Sequence, residues 1–135
     1  MLWEVITLRI GVISTQNGLL SGALIKYLGE RGEILAQRIL SSDPDEPYST
    51  CRSLNADILL MEVTRVPHYT LEERMNTIKR IRCDIPKCKI ALLCDENADQ
   101  ELAEQVKDAK KNGVIDGFFY TSVSGEYLAA ALDSM

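Results

Sequence analysis

Five short apolar runs, each followed by a segment of helical period, divide this chain from end to end, and that alternation leaves few folds open. Leu8 to Ser14 is rich in branched residues and reads as a buried strand, closed by the polar run Ser14-Thr15-Gln16-Asn17. From Gly18 onward, Leu19, Leu20, Ala23, Leu24, Tyr27 and Leu28 recur at helical spacing until Gly29 and Gly32 stop the pattern. Ile34 to Leu40 gives a second strand, and the turn chemistry of Asp43-Pro44-Asp45-Glu46-Pro47 leads into a short helix ending near Leu54. Asp57 to Val63 is almost wholly apolar with one acid near its end, which suits a central parallel strand covered on both faces. Leu71, Met75, Ile78 and Ile81 share a helical face, and Pro86 precedes a fourth strand, Lys89 to Cys94. The next helix turns Leu102, Ala103, Val106 and Ala109 inward and stops at Asn112-Gly113. Gly117 to Thr121 is the fifth strand, and Ser124 to Met135 a last helix with Leu128, Ala131, Leu132 and Met135 in register. Strands alternating with helices predict an α/β fold of three layers, a doubly wound parallel sheet with helices on both faces.

At 135 residues and 46% hydrophobic composition, the chain is expected to form one domain, residues 1–135, with a full core. Fifteen basic residues against 20 acidic ones leave a net charge of -5, which argues against direct nucleic-acid binding by this domain. The helix carrying Lys107, Lys110 and Lys111 also carries Glu101, Glu104 and Asp108, so it reads as a solvated face with internal ion pairs. One histidine, His68, excludes a multi-histidine metal site and leaves little for Ser-His-Asp or Cys-His chemistry. The four cysteines, Cys51, Cys83, Cys88 and Cys94, include no Cys-x-x-Cys pair and are expected to be reduced thiols in a cytoplasmic protein. The run from Leu2 to Ile13 is broken by Glu4 and Arg9, too charged and short to span a membrane, and it lacks a cleavage site.

Open sheets of this kind bind ligands outside the carboxyl ends of their strands. The residues expected there are Ser14 and Thr15, Glu62, Cys94 and Asp95, and Thr121 with Ser122.

The order of elements and these strand-end residues resemble the receiver domain of bacterial two-component response regulators, over nearly the whole chain. Asp57-Ile58-Leu59-Leu60-Met61-Glu62-Val63 is similar to the family's third-strand pattern of an acid, apolar residues and the phosphoacceptor aspartate. Asp116-Gly117-Phe118-Phe119-Tyr120-Thr121 is similar to its fifth-strand pattern, which ends in a lysine. The Gly-Phe-Phe-Tyr run and the last helix around Glu126 and Leu128 are nearest to receivers with helix-turn-helix output domains. The resemblance implies the flavodoxin-like strand order 2-1-3-4-5. It also implies a site from which this chain departs position by position. The two magnesium-holding acids fall on Ser14 and Thr15, the phosphoacceptor on Glu62, the switch hydroxyl on Cys94 and the lysine on Thr121. Phe118 alone keeps its role, as the aromatic three before the lysine position. The region of the fourth helix is a few residues longer than the family's, and Pro67 falls one place late.

Aspartyl phosphorylation needs a carboxylate nucleophile and a divalent cation. Hydroxyls in place of two acids and threonine in place of lysine remove the charges that would gather them. The expected protein is therefore a pseudo-receiver: not an enzyme, without cofactor or metal, acting in signal transduction or transcriptional regulation by protein contact rather than through a phosphorelay cycle. Its expected partner surface, implied by the resemblance, is the face of helix 4, strand 5 and helix 5, with Phe118, Tyr120 and Tyr127 as switch or interface residues. That face would take a protein partner or a second copy in a homodimer. Either a DNA-binding output domain is expected beyond Met135 or the chain acts alone.

Several narrower readings stay open. Glu62 is either a standing mimic of the phosphorylated state or a solvated acid pairing locally. Cys94 is either a redox- or metal-responsive thiol or a small buried hydrophobe. Cys83 and Cys88 with His68 offer a weak metal clip. Ser14-Thr15-Gln16-Asn17-Gly18, ahead of a helix, offers the alternative of a flavodoxin-like binder of a phosphate-bearing cofactor or small ligand. A conventional receiver phosphorylated on Asp95 or Asp57 is a third option.

Overall fold

A computed structural model describes residues 8–16, 18–39, 43–97 and 99–135. Its elements alternate as the sequence predicts: β1 (Arg9–Ser14), α1 (Gly18–Arg31), β2 (Ile34–Arg38), α2 (Glu46–Leu54), β3 (Ile58–Glu62), α3 (Leu71–Asp84), β4 (Lys89–Cys94), α4 (Gln100–Lys111), β5 (Gly117–Tyr120) and α5 (Gly125–Asp133). All neighbouring strands are parallel, in the order β2-β1-β3-β4-β5. This is the flavodoxin-like order.

Strand alternation splits the core in two. Val12, Leu59, Met61, Ile90 and Leu92 pack against α2, α3 and α4, together with Cys51, Ile78, Ile81, Leu102 and Val106. Ile13, Ile58, Leu60, Ala91 and Leu93 face the other way, onto Leu24 and Leu28 of α1 and Leu128, Ala129 and Leu132 of α5. Every residue of β3 is buried, which fits its near-continuous apolar run.

Side-chain caps fix where three helices begin. Thr70, Asp99 and Ser124 accept from the amides of Glu73, Leu102 and Tyr127, satisfying donors that the first helical turn leaves free. Some expected boundaries move. Gly29 lies inside α1, because a lone helical glycine costs only about 1 kcal/mol. The helix stops at Gly32, whose φ of +74° suits glycine. Leu19, expected inward, is 89% exposed, since it sits in the first turn beyond the packed stripe. The second strand ends at Arg38, and Leu40 lies outside the described residues. Thr121 follows β5 instead of closing it, and α5 ends at Asp133, two residues short of Met135.

Two aspartates open strands in the same way. Asp57, before β3, gives its amide to the Ile10 carbonyl and accepts the Ile10 amide on Oδ2, each at 2.8 Å. Asp116, before β5, does likewise with Ile90, at 2.8 and 2.9 Å. Lys87 reinforces the first and Arg82 the second. Burial opposes the charged form of both carboxyls, but the Ile10 or Ile90 amide and the partner cation outweigh it and hold them below the ordinary 3.8. With a folded-state pKa below the unfolded one, each contributes stability that is complete above the unfolded value and is lost as pH falls through the folded one. Urea midpoints are therefore expected to drop as pH falls below about 4. Asp57→Asn with Asp116→Asn is expected to flatten that slope, and an unchanged slope would contradict the assignment.

Candidate functional site

The carboxyl ends of β1, β3, β4 and β5 bring the expected crevice residues to one edge of the sheet. Ser14 and Thr15 leave β1 and are each 5% exposed. The Thr15 hydroxyl is hydrogen-bonded to that of Ser21 in α1, which draws it toward the helix. Glu62 ends β3 and is 7% exposed, so the reading of a solvated acid is corrected, although it does pair locally. Its Oε1 accepts the amide N–H of Gln16 at 2.6 Å, which closes the carboxylate over the loop between β1 and α1. A strand-end acid is buried here because that loop brings it a donor, and a charge-assisted bond of this kind offsets desolvation.

Cys94 is 1% exposed and belongs to the core facing α4. Burial, with the charges of Glu96, Asp95 and Asp99 adding to it, pushes its thiol up to about 11. It is a neutral thiol at physiological pH, the small buried hydrophobe of the two readings. Asp95 is exposed and accepts the Asn97 amide at 2.9 Å, starting the turn toward α4. Thr121 is half-buried and gives its amide to the Cys94 carbonyl at 3.0 Å, while Ser122 donates to Glu96 at 3.0 Å. Asp57 stands at the amino end of β3, away from the crevice, which removes it as an alternative acceptor.

Phe118 and Tyr120 meet edge to face with centroids 4.8 Å apart and pack on the α4 side of the sheet. Phe119 packs on the α1–α5 side. Tyr127 is 59% exposed on α5. Tyr120 also lines a depression of about 310 Å³ with Gln100, Ala103 and Glu104 of α4. The metal clip is not formed. His68 lies in the loop after β3, whereas Cys88 is buried just before β4 at the other end of the sheet and Cys83 is exposed at the end of α3. Among the described residues no group of three or more His, Cys, Asp or Glu could hold a metal ion.

One residue of the site was not foreseen. Arg74 of α3 is 2% exposed and reaches the crevice edge from below. Its Nε donates to the Glu62 carbonyl at 2.9 Å and its Nη2 to the Ser14 carbonyl at 3.3 Å, so one guanidinium ties the ends of β1 and β3 together. The signal was present in the sequence: an arginine three residues after Leu71 and four before Ile78, inside an apolar stripe. The magnesium implied by the receiver resemblance does not fit these residues. Hydroxyls stand where its acids would be, the Thr15 hydroxyl is engaged by Ser21, and a fixed cation already lies against the ends of β1 and β3. The phosphate-cofactor alternative meets a similar obstacle, since Glu62 already occupies the Gln16 amide that would receive an anion.

No family model and no curated protein matches the sequence. Solved structures do. A CheY-like protein, TadZ, from Pseudomonas aeruginosa is 14% identical with a TM-score of 0.66, over 93% of this chain and 98% of that one. A pilus assembly-related protein from Burkholderia pseudomallei is 18% identical with a TM-score of 0.65, over 99% and 92%. The receiver domain of the response regulator NarL from Mycobacterium tuberculosis is 12% identical with a TM-score of 0.69, over 95% of each chain. At such identities the likeness is one of fold, and the fold is that of a receiver domain. No helix among the described residues is long and apolar enough to cross a membrane.

Proposed function

We propose that this chain is a receiver-like signalling module that acts by protein contact, without enzymatic activity and without an aspartyl phosphorylation cycle. One observation carries the reading: the carboxylate at the phosphoacceptor position is Glu62, 7% exposed and closed on the Gln16 amide. Ser14, Thr15 and Thr121 supply neither the acids that would gather a cation nor the lysine that would meet a phosphoryl group. What such a site leaves to the fold is a surface for recognition. The Phe118–Tyr120 pair and exposed Tyr127, on the α4–β5–α5 face, support a protein partner or a homodimer there. The free cysteines fit a cytoplasmic setting. An appended DNA-binding domain would make the output transcriptional.

Beryllofluoride with magnesium, which imitates an aspartyl phosphate, tests the reading by thermal shift. The melting temperature is expected to stay unchanged, and a rise of several degrees would overturn the proposal. Tyr127→Ser is expected to weaken self-association or partner binding in light scattering without lowering the melting temperature, because the side chain is mostly in solvent.

A second setting, pilus assembly, is favoured by the alignment with the Burkholderia pilus assembly-related protein over 92% of its length. Deleting the gene and counting surface pili separates it from transcriptional signalling. Unchanged piliation removes it.

A further inference from the structure

Arg74 occupies a position on α3 where the pattern asks for an apolar side chain. A cation that is 2% exposed carries a large desolvation cost, offset only by well-made hydrogen bonds and nearby negative charge. It has both. Its two bonds go to the carbonyls of Ser14 and Glu62, and the Tyr69 ring lies 5.2 Å from the guanidinium carbon. Burial pulls its pKa down to about 10, against the opposing influence of Tyr69, Glu62 and Glu73, so it remains charged at neutral pH. The carbonyls it holds end β1 and β3, the strands between which the receiver resemblance places a divalent cation.

We propose that Arg74 is the resident cation of this crevice, standing in for a divalent ion by tying the ends of β1 and β3 and balancing the charge of Glu62, so that Glu62 stays closed on Gln16 without metal or phosphoryl group. Arg74 is thus a positioning residue for Glu62. The proposal deepens the receiver-like reading and rests on it for the meaning of a permanently closed site. Its test reads only the crevice, with no phosphoryl donor and no partner, so either idea can fail while the other stands.

A plain strand clamp would also bond the two carbonyls, but it would be indifferent to the charge of Glu62. A double-mutant cycle separates the two roles. Arg74→Met is expected to lower the urea midpoint strongly, because it leaves Glu62 buried without its cation. Glu62→Gln in that background is expected to recover much of the loss, with a coupling of about fivefold or more in the folding equilibrium constant. Arg74→Lys, which keeps the charge, is expected to stay closer to wild type than Arg74→Met. Magnesium chloride adds a second readout: it is expected to raise the midpoint of Arg74→Met and to leave the wild type and the double variant unmoved. Additive single effects, or the same magnesium response in all three proteins, would overturn the proposal. Should Arg74→Met fail to fold, the double variant is expected to fold, and its failure would count equally against the resident cation.

Discussion

Replacing Leu60 by alanine is expected to cost about 3–5 kcal/mol of folding free energy, the upper part of the range for a buried leucine. Leu60 is fully buried in the middle of β3, and points into the layer between the sheet and the α1–α5 pair. The lost transfer energy of its methyl groups is one part of the cost. The other part is the cavity, which at this site has little chance to collapse. A void of about 10 Å³ already lies beside Leu60, lined by Gly11, Ile13, Leu28, Ile34, Ile58 and Leu132. Its walls are strand backbone on one side and two helices fixed to each other on the other, so removal of Leu60 enlarges a space that packing has left open. Urea unfolding with an unchanged slope and a reduced midpoint measures the effect. A loss below about 1.5 kcal/mol would mean that the α1–α5 layer is far more plastic than its packing indicates.

Shortening the chain to end at Ser122 is expected to abolish folding. The removed residues include Leu128, Ala129 and Leu132, each no more than 1% exposed, and they cover the face of the sheet that carries Ile13, Leu60 and Leu93. The two leucines alone represent about 1.5–3 kcal/mol each. The strand residues and α1 side chains they cover would be returned to water as well. Asp133 is lost too, and with it the carboxylate that binds Arg9 at 2.6 Å and Arg31 at 2.8 Å, joining the start of β1 to the end of α1. Against a total stability of about 5–15 kcal/mol for a domain, that loss leaves no margin. Far-UV circular dichroism should show a chain with little helix and no cooperative melt. A cooperative transition in the shortened chain would contradict the placement of α5 as part of the core.

The order of elements was legible because it rests on local pattern. Asp57 to Val63 reads as a strand covered on both faces, and β3 is buried at every position. Where propensity and pattern agree in this way, tertiary packing has nothing to override. The boundaries that moved are those decided by single residues: Gly29 costs too little to end α1, while Gly32 ends it by adopting a positive φ.

The crevice was legible in membership but not in state. Strand ends place Ser14, Glu62, Cys94 and Thr121 at one edge whatever their side chains do. Whether Glu62 is solvated depends on the Gln16 amide, 46 residues away, and no local pattern encodes that meeting. Arg74 was missed for a related reason. In the stripe Leu71, Met75, Ile78, Ile81, a helical count accepts Met75 and passes over its neighbour, although Arg74 is the more deeply buried of the two. A charged residue at a position that periodicity assigns to the core is the kind of local conflict that marks a site, and the sequence alone carries it.

Closure of Glu62 by the chain's own groups is the centre of this account, and intact mass after incubation with acetyl phosphate and magnesium tests it most directly. The protein is expected to keep its unmodified mass at every time point. Stoichiometric addition of one phosphoryl group, abolished by Glu62→Gln, would contradict it.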